Sequence, residues 1–143
     1  MVKILFVCHG NICRSAMGEQ ILKDMVKKAG REPEFFIDSA AVSREEIGNP
    51  IYMPARRELL KHGVEPGDHR ARQVTMADNQ QFDRIYYMDA SNARYLARML
   101  PAAPEKIRPL LERDVADPWY TGDFEATWRD LNIGCRRILE EFQ

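Results

Sequence analysis

The chain has few cysteines, no long apolar run and no excess of charge of one sign. Its three cysteines cannot close a disulfide framework, so we expect catalytic, redox-active or buried thiols in a reducing compartment. No apolar run approaches the roughly 20 residues that cross a bilayer. Only five apolar residues follow Lys3, with no small-residue cleavage site, so a secretory signal is not expected. These absences predict a cytoplasmic protein without membrane insertion.

The balance of charge narrows the possible partners. Twenty-one Lys and Arg residues oppose twenty-two Asp and Glu residues, for a net charge of −1. This balance excludes a globally basic nucleic-acid binder and leaves room for a local basic pocket. With 143 residues, 45% of them hydrophobic, the composition is typical of one globular domain, expected over residues 1–143.

Short apolar runs alternate with helical patterns along the chain. Strands are predicted over Val2–Val7, Phe35–Ala40, Arg84–Asp89 and Lys106–Leu111, the last interrupted by Pro109 and therefore at a sheet edge. Helices are predicted over Ser15–Ala29, Ala55–His62, Ser91–Leu100 and from Phe124 to Phe142, the last with Asp123 as N-cap. This order predicts an α/β fold, with a four-stranded parallel sheet, helices on both faces and a ligand site beyond the carboxyl ends of the strands.

The loop after the first strand has the composition of an anion-binding site. From Cys8 to Ser15 its sequence is CHGNICRS, a Cys-x5-Arg-Ser spacing that matches neither a Walker loop nor a dinucleotide fingerprint. A short loop entering a helix turns successive backbone N–H groups toward an anion. Gly10 and Asn11 tolerate the backbone angles that such a loop needs. Arg14 has the planar fork that binds two oxygens of a phosphoryl group.

Cys8 lies at the start of this loop. The positive field of the loop favours a thiolate, which beneath a bound phosphoryl group is an in-line nucleophile. The Ser15 hydroxyl is placed to hydrogen-bond the sulfur. Taken alone, Cys8 is better explained as a buried structural thiol, but its combination with Gly10, Arg14 and Ser15 favours the nucleophile. A metal site is not expected, because the Cys8-x4-Cys13 spacing has no second Cys or His pair.

A general acid is expected after the fourth strand, since an oxygen leaving group needs a proton. Asp117 lies there, held extended by Pro118. Trp119 and Tyr120 follow and are suited to line a cleft for an aromatic leaving group. An ordinary Asp-Pro turn explains the same residues, and Asp114 is a nearby competitor for the role.

Together these segments resemble the low-molecular-weight protein tyrosine phosphatases. The Cys8–Ser15 loop is similar to the signature loop of that family, and further segments occur in the family's order over nearly the whole chain. They are Asp38–Ala41, Glu46–Pro50, His62–Gly63, Ala71–Gln73, Met88–Asn92 and Asp117–Tyr120. The resemblance implies the same α/β fold and a two-step hydrolysis of phosphotyrosine proteins and aryl phosphates, without metal or cofactor.

The resemblance also implies a role for each site residue. Cys8 is the implied nucleophile, Arg14 binds the phosphoryl group, and Asp117 protonates the leaving oxygen and then activates water. Cys13 is similar to the residue that forms a reversible disulfide with the nucleophile. The implied substrate-binding residues are His9, Gly10, Asn11, Ile12, Cys13, Ser15, Trp119 and Tyr120, and the residues that support the loop are Asn11, Ser39 and His69.

Four residues depart from the family pattern: Ala16 replaces a usual proline, Trp119 replaces a tyrosine common in relatives and keeps an aromatic wall, and His9 and Glu45 leave the physiological substrate open. His9 and Glu45 lie where relatives often have apolar or aromatic residues. His9 either adds positive charge at the cradle or points to solvent, and a carboxylate at Glu45 should repel acidic sequences beside a phosphotyrosine. Phosphate and vanadate are the expected ligands or inhibitors, and a monomer or weak self-association through Trp119 and Tyr120 is expected.

Three other functions compete with this one. Arsenate reductases of this fold need a further cysteine, and the only distal one, Cys135, lies on the apolar stripe of the last helix. Protein-arginine phosphatases carry threonine where this chain has Ile12, whose bulk favours phosphotyrosine. A phosphate-binding module without turnover would need only the cradle, so the joint presence of Cys8, Arg14 and Asp117 argues against it.

Overall fold

A computed structural model of the chain describes all 143 residues. A parallel sheet of four strands, in the order β2-β1-β3-β4, forms its centre. The strands are β1 (Val2–Cys8), β2 (Phe35–Ala41), β3 (Arg84–Tyr87) and β4 (Ile107–Pro109). The edge position predicted for β4 is confirmed. The strand predicted to reach Asp89 ends at Tyr87, because Asp89 caps the helix that follows.

Six helices surround the sheet, and none of them is long and apolar enough to cross a bilayer. They are α1 (Arg14–Lys28), α2 (Met53–Lys61), α3 (Met76–Gln81), α4 (Ala90–Met99), α5 (Pro118–Thr121) and α6 (Phe124–Glu141). Thr75 and Asp89 begin α3 and α4 with capping boxes, and Asp123 caps α6 as predicted. The sequence patterns missed α5 and a 3-10 helix over Glu32–Glu34, both of which begin at a proline-containing turn.

Strand β1 runs through the middle of the core and is buried on both faces. Ile4 and Phe6 point into a large apolar cluster with α1, α2 and α6, whereas Leu5 and Val7 point into a smaller cluster with α4. Burial on both faces is typical of a parallel sheet and confirms the predicted layers. Because β1 and β3 are parallel neighbours, their carboxyl ends lie at the same edge of the sheet. The loop that follows Cys8 begins at this edge, where α/β proteins bind their ligands.

Helix α6 packs closely against the segment after β4. Cys135 is fully buried on this helix, as its apolar stripe predicts. A Cβ atom added at Gly134 would lie 2.5 Å from Cγ of Leu110 and 2.7 and 2.8 Å from its two Cδ atoms. Because non-bonded carbon atoms essentially never approach so closely, the packing of the helix on Leu110 requires glycine at this position.

We expect Gly134→Ala to destabilise the protein. Overpacking a core costs about 1–3 kcal/mol, and the gain of about 1 kcal/mol in helix propensity offsets only part of it. Urea unfolding should show a lower midpoint for this variant. Arg136→Ala, an exposed change on the same helix, is the control and should stay within about 0.5 kcal/mol of the wild type. A Gly134→Ala protein as stable as the wild type would contradict the packing argument.

Candidate active site

The loop after β1 forms the floor of a cavity of about 530 Å³ at the carboxyl edge of the sheet. Most of the site residues expected from the sequence line this cavity, namely Cys8, His9, Gly10, Ile12, Cys13, Arg14, Asp117, Trp119 and Tyr120. The others, Asn11, Ser15, Ser39 and His69, do not line it and are joined by hydrogen bonds on the side of the loop away from the cavity. The structure thus separates residues that face a ligand from residues that hold the loop.

Asn11 fixes the shape of the loop from behind. It is fully buried and is the one non-glycine residue with positive φ, 62°. Its Nδ2 donates to Oγ of Ser15 at 2.8 Å and to Oγ of Ser39 at 2.9 Å. Nε2 of His69 bonds to the Asn11 carbonyl at 2.6 Å, and the backbone N–H of Arg72 donates to Oδ1 at 3.1 Å. These bonds stabilise a backbone angle that asparagine tolerates better than most residues.

Cys8 lies at the base of the cradle. Its Sγ is 3.0 Å from Oγ of Ser15 and accepts a hydrogen bond from the backbone N–H of Asn11 at 3.3 Å. The backbone N–H groups of Gly10, Ile12 and Cys13 donate to no acceptor within the protein. The loop therefore offers hydrogen-bond donors around the sulfur, an arrangement that suits a thiolate and a bound oxyanion.

Arg14, the first residue of α1, spans the cavity from the loop to the opposite wall. Its Nη1 donates to the Val115 carbonyl at 2.9 Å. Its Nη2 lies 2.9 Å from Oδ2 of Asp89 and 3.4 Å from Oδ2 of Asp117. Burial disfavours the charged guanidinium, but Cys8, Asp117 and Asp89 together raise the pKa of Arg14 above its usual value. A fixed cation thus lies near enough to Cys8 for the two charges to interact.

Asp117 lies on the wall facing the loop. It caps α5, since its Oδ1 accepts from the backbone N–H of Trp119 at 3.0 Å, and its side chain is partly exposed. The competing carboxylate, Asp114, and the neighbouring Asp123 both have other hydrogen-bonding roles. Asp114 accepts from the backbone N–H of Ala90 at 3.2 Å, and Asp123 caps α6. Of the three acids, only Asp117 lines the cavity.

The other two cysteines have high pKa values. Burial, reinforced by the charges of Cys8 and Asp117, raises the pKa of Cys13 to about 12. Complete burial raises the pKa of Cys135 well above its usual range. All three cysteines are free thiols, so the disulfide between Cys8 and Cys13 that the resemblance implies stays a prediction.

Sequence reasoning missed several residues that line or support the site, among them Asp89, Glu19 and Tyr52. Asp89 was placed inside a strand, although its position after β3 is the one from which α/β proteins contact ligands. Glu19 is buried in α1, where it accepts from Oγ of Ser39 at 2.5 Å and pairs with Lys23 at 2.5 Å. Tyr52 packs against Trp119 with ring centroids 5.0 Å apart and supports the aromatic wall. Contacts that join distant parts of the chain leave no local sequence signal.

Comparisons with known proteins agree with this architecture. The family model for low molecular weight phosphotyrosine protein phosphatase matches residues 3–143. The chain is 38% identical to the low molecular weight protein-tyrosine-phosphatase YfkJ of Bacillus subtilis, over 100% of this chain and 97% of that protein. The crystal structure of YfkJ superposes with a TM-score of 0.96 and covers 100% of this chain and 95% of that one.

Two animal proteins are also similar to the chain. The human low molecular weight phosphotyrosine protein phosphatase is 37% identical over 96% of this chain and 94% of its own length. A crystal structure of a Drosophila arginine phosphatase is 30% identical, with a TM-score of 0.87, over 99% of this chain and 98% of that one. The full-length family match and these relatives lead to one conclusion: the chain belongs to the low molecular weight phosphotyrosine protein phosphatase family and is an enzyme of that class.

Proposed function

We propose that the chain hydrolyses phosphotyrosine in proteins, and small aryl phosphates, through a phosphocysteine intermediate on Cys8. Arg14 binds the phosphoryl group, and Asp117 is the general acid and base. The observation that carries this proposal is the convergence of a cysteine, an arginine and an aspartate on one cavity, with Cys8 at its base. We place its phosphoprotein substrates in the cytoplasm, because a reducing compartment preserves the three free thiols of the chain.

In the first step, phosphate oxygens accept from the free backbone N–H groups of the loop and from Arg14. The contact of Arg14 with Asp117, 3.4 Å, is longer than its contact with Asp89, 2.9 Å, so a phosphate oxygen displaces Asp117 first. The Cys8 thiolate then attacks phosphorus, the bond from phosphorus to the tyrosyl oxygen breaks, and the proton of Asp117 passes to that oxygen.

In the second step, water attacks the phosphocysteine. Asp117, now a carboxylate, takes the proton of the water, and the phosphorus–sulfur bond breaks with Cys8 leaving as a thiolate. The Ser15 hydroxyl, 3.0 Å from the sulfur, stabilises the negative charge that develops there. Inorganic phosphate is the product, which is why phosphate and vanadate are expected to compete with substrate.

The aromatic wall favours an aryl leaving group over a phosphorylated arginine. Trp119 is supported by Tyr52, and Ile12 contributes an apolar surface at the floor of the cavity. Trp119 and Tyr120 are 55% and 85% exposed, so they are free to contact the phosphotyrosine ring or a second copy of the chain. We therefore propose a monomer with at most weak self-association.

Hydrolysis of para-nitrophenyl phosphate and of a phosphotyrosine peptide, measured in EDTA with reduced protein, tests the function. We expect turnover of both substrates and competitive inhibition by vanadate. A phosphoarginine peptide and arsenate are assayed in parallel and should be poor substrates. A folded protein that binds the phosphotyrosine peptide without turnover would be a binding module, and preferred turnover of phosphoarginine would replace the proposed substrate; either result contradicts the proposal.

A further inference from the structure

The mouth of the cavity contains a hydrogen-bonded pair of side chains, His9 and Glu45, that the proposed chemistry does not use. Oε1 of Glu45 lies 2.6 Å from Nε2 of His9, the residue directly after Cys8. The His9 backbone is itself fixed, because its carbonyl accepts from the backbone N–H of Ser43 at 3.0 Å. Its ring also contacts Tyr95 edge-on, with centroids 5.7 Å apart. The exposed Glu45 carboxylate is therefore held at the rim of the cavity.

Glu45 is the outer of two neighbouring acids on this wall. Glu46 is half-buried, bonds to Nδ2 of Asn49 at 2.7 Å and packs beside Gly10. Neither carboxylate pairs with a lysine or arginine of the protein, whereas the guanidinium of Arg14 is already engaged by acids on the opposite wall. Bound phosphate would further occupy Arg14. The wall at Glu45 thus presents negative charge to whatever lies beside the phosphate.

We infer that Glu45, held by His9, selects phosphotyrosine substrates that carry a lysine or arginine next to the phosphotyrosine. The inference rests on the proposed function, since it concerns the substrate of the same cavity. A flanking cation pairs with the Glu45 carboxylate at the rim, and a flanking acid is repelled by it. An exposed charge pair of this kind changes affinity by about two- to fivefold. Exchanging a flanking lysine for glutamate replaces an attraction to Glu45 by a repulsion of similar size. The two peptides should therefore differ in the logarithm of their affinity by about twice the contribution of one charge pair.

Two peptides that differ only in lysine or glutamate directly after the phosphotyrosine test this selection. For the wild type we expect kcat/KM to be about five- to tenfold higher with the lysine peptide at low ionic strength. Added salt at about 0.5 M should reduce this ratio, because it screens exposed charges. The ratio is an internal measure that does not depend on the absolute activity of a variant.

Variants at Glu45 assign the selection to this residue. Glu45→Gln should bring the ratio of kcat/KM values close to two or below, and Glu45→Lys should invert it in favour of the glutamate peptide. Glu105→Lys is the matched control, because it makes the same charge change at an exposed residue before β4, at the opposite edge of the sheet. It should keep the wild-type ratio.

The two proposals fail in different ways. A wild type that hydrolyses both peptides equally well, or a Glu45→Lys variant that keeps the wild-type ratio, overturns the role of Glu45 and leaves the phosphatase intact. A wild type that hydrolyses neither peptide contradicts the proposed function itself. An equal shift of the ratio in Glu105→Lys would attribute the selection to overall charge and would also overturn the role of Glu45.

Discussion

Cys8→Ser is expected to abolish turnover, with a loss of at least about 10³-fold in kcat, while phosphate binding survives. A serine hydroxyl in the same position is a far weaker nucleophile than a thiolate, and the groups that hydrogen-bond the Cys8 sulfur, the Ser15 hydroxyl and the Asn11 backbone N–H, are not bases. The cradle itself is made of backbone N–H groups and Arg14, none of which changes with the substitution. Loss of chemistry with retention of binding is therefore the expected signature.

Binding and turnover must be measured on the same preparation. Calorimetric titration with a phosphotyrosine peptide gives the affinity of the variant, and hydrolysis of para-nitrophenyl phosphate gives its turnover. Cys135→Ser is the matched control, since Cys135 is buried in the core away from the cavity and should retain turnover. Turnover near the wild-type rate in Cys8→Ser would exclude Cys8 as the nucleophile.

The floor of the site could be predicted because its residues are consecutive. The loop from Cys8 to Ser15 includes the thiol, the positive-φ position at Asn11 and the arginine, and a strand before it and a helix after it are visible as apolar patterns. Local sequence therefore determines both the shape of the loop and its place at the sheet edge. The capping box at Thr75 is local in the same sense, because its two partners, Thr75 and Asp78, are only three residues apart.

The walls of the site could not be predicted from local patterns. Asp89 reaches Arg14 only because β1 and β3 are neighbours in the sheet, an order that strand periodicity alone does not specify. From its pattern, Glu19 is expected on the surface of an amphipathic helix. In the structure its carboxylate is buried, and it accepts a hydrogen bond from Ser39 and pairs with Lys23. Ser39 and His69 were expected to support the loop only through the family resemblance. In the structure both side chains form hydrogen bonds with Asn11.

Asp117→Asn is expected to slow aryl phosphates with poor leaving groups by about 10²–10³-fold in kcat/KM and those with good leaving groups by much less. A phenol such as tyrosine, with a pKa near 10, leaves slowly without a proton, whereas an acidic phenol leaves as a stable anion. Asparagine keeps an oxygen that caps α5, so this variant removes the proton and retains the bond to the backbone N–H of Trp119.

A series of aryl phosphates graded by leaving-group pKa separates proton donation from positioning. The parameter to compare is kcat/KM, because it reports the first phosphoryl transfer and is independent of phosphocysteine hydrolysis. The logarithm of kcat/KM should depend more steeply on leaving-group pKa in Asp117→Asn than in the wild type. Asp114→Asn is the control and should keep the wild-type slope, because Asp114 does not line the cavity. A uniform loss over the whole series would assign Asp117 to holding Arg14 and α5 rather than to donating the proton.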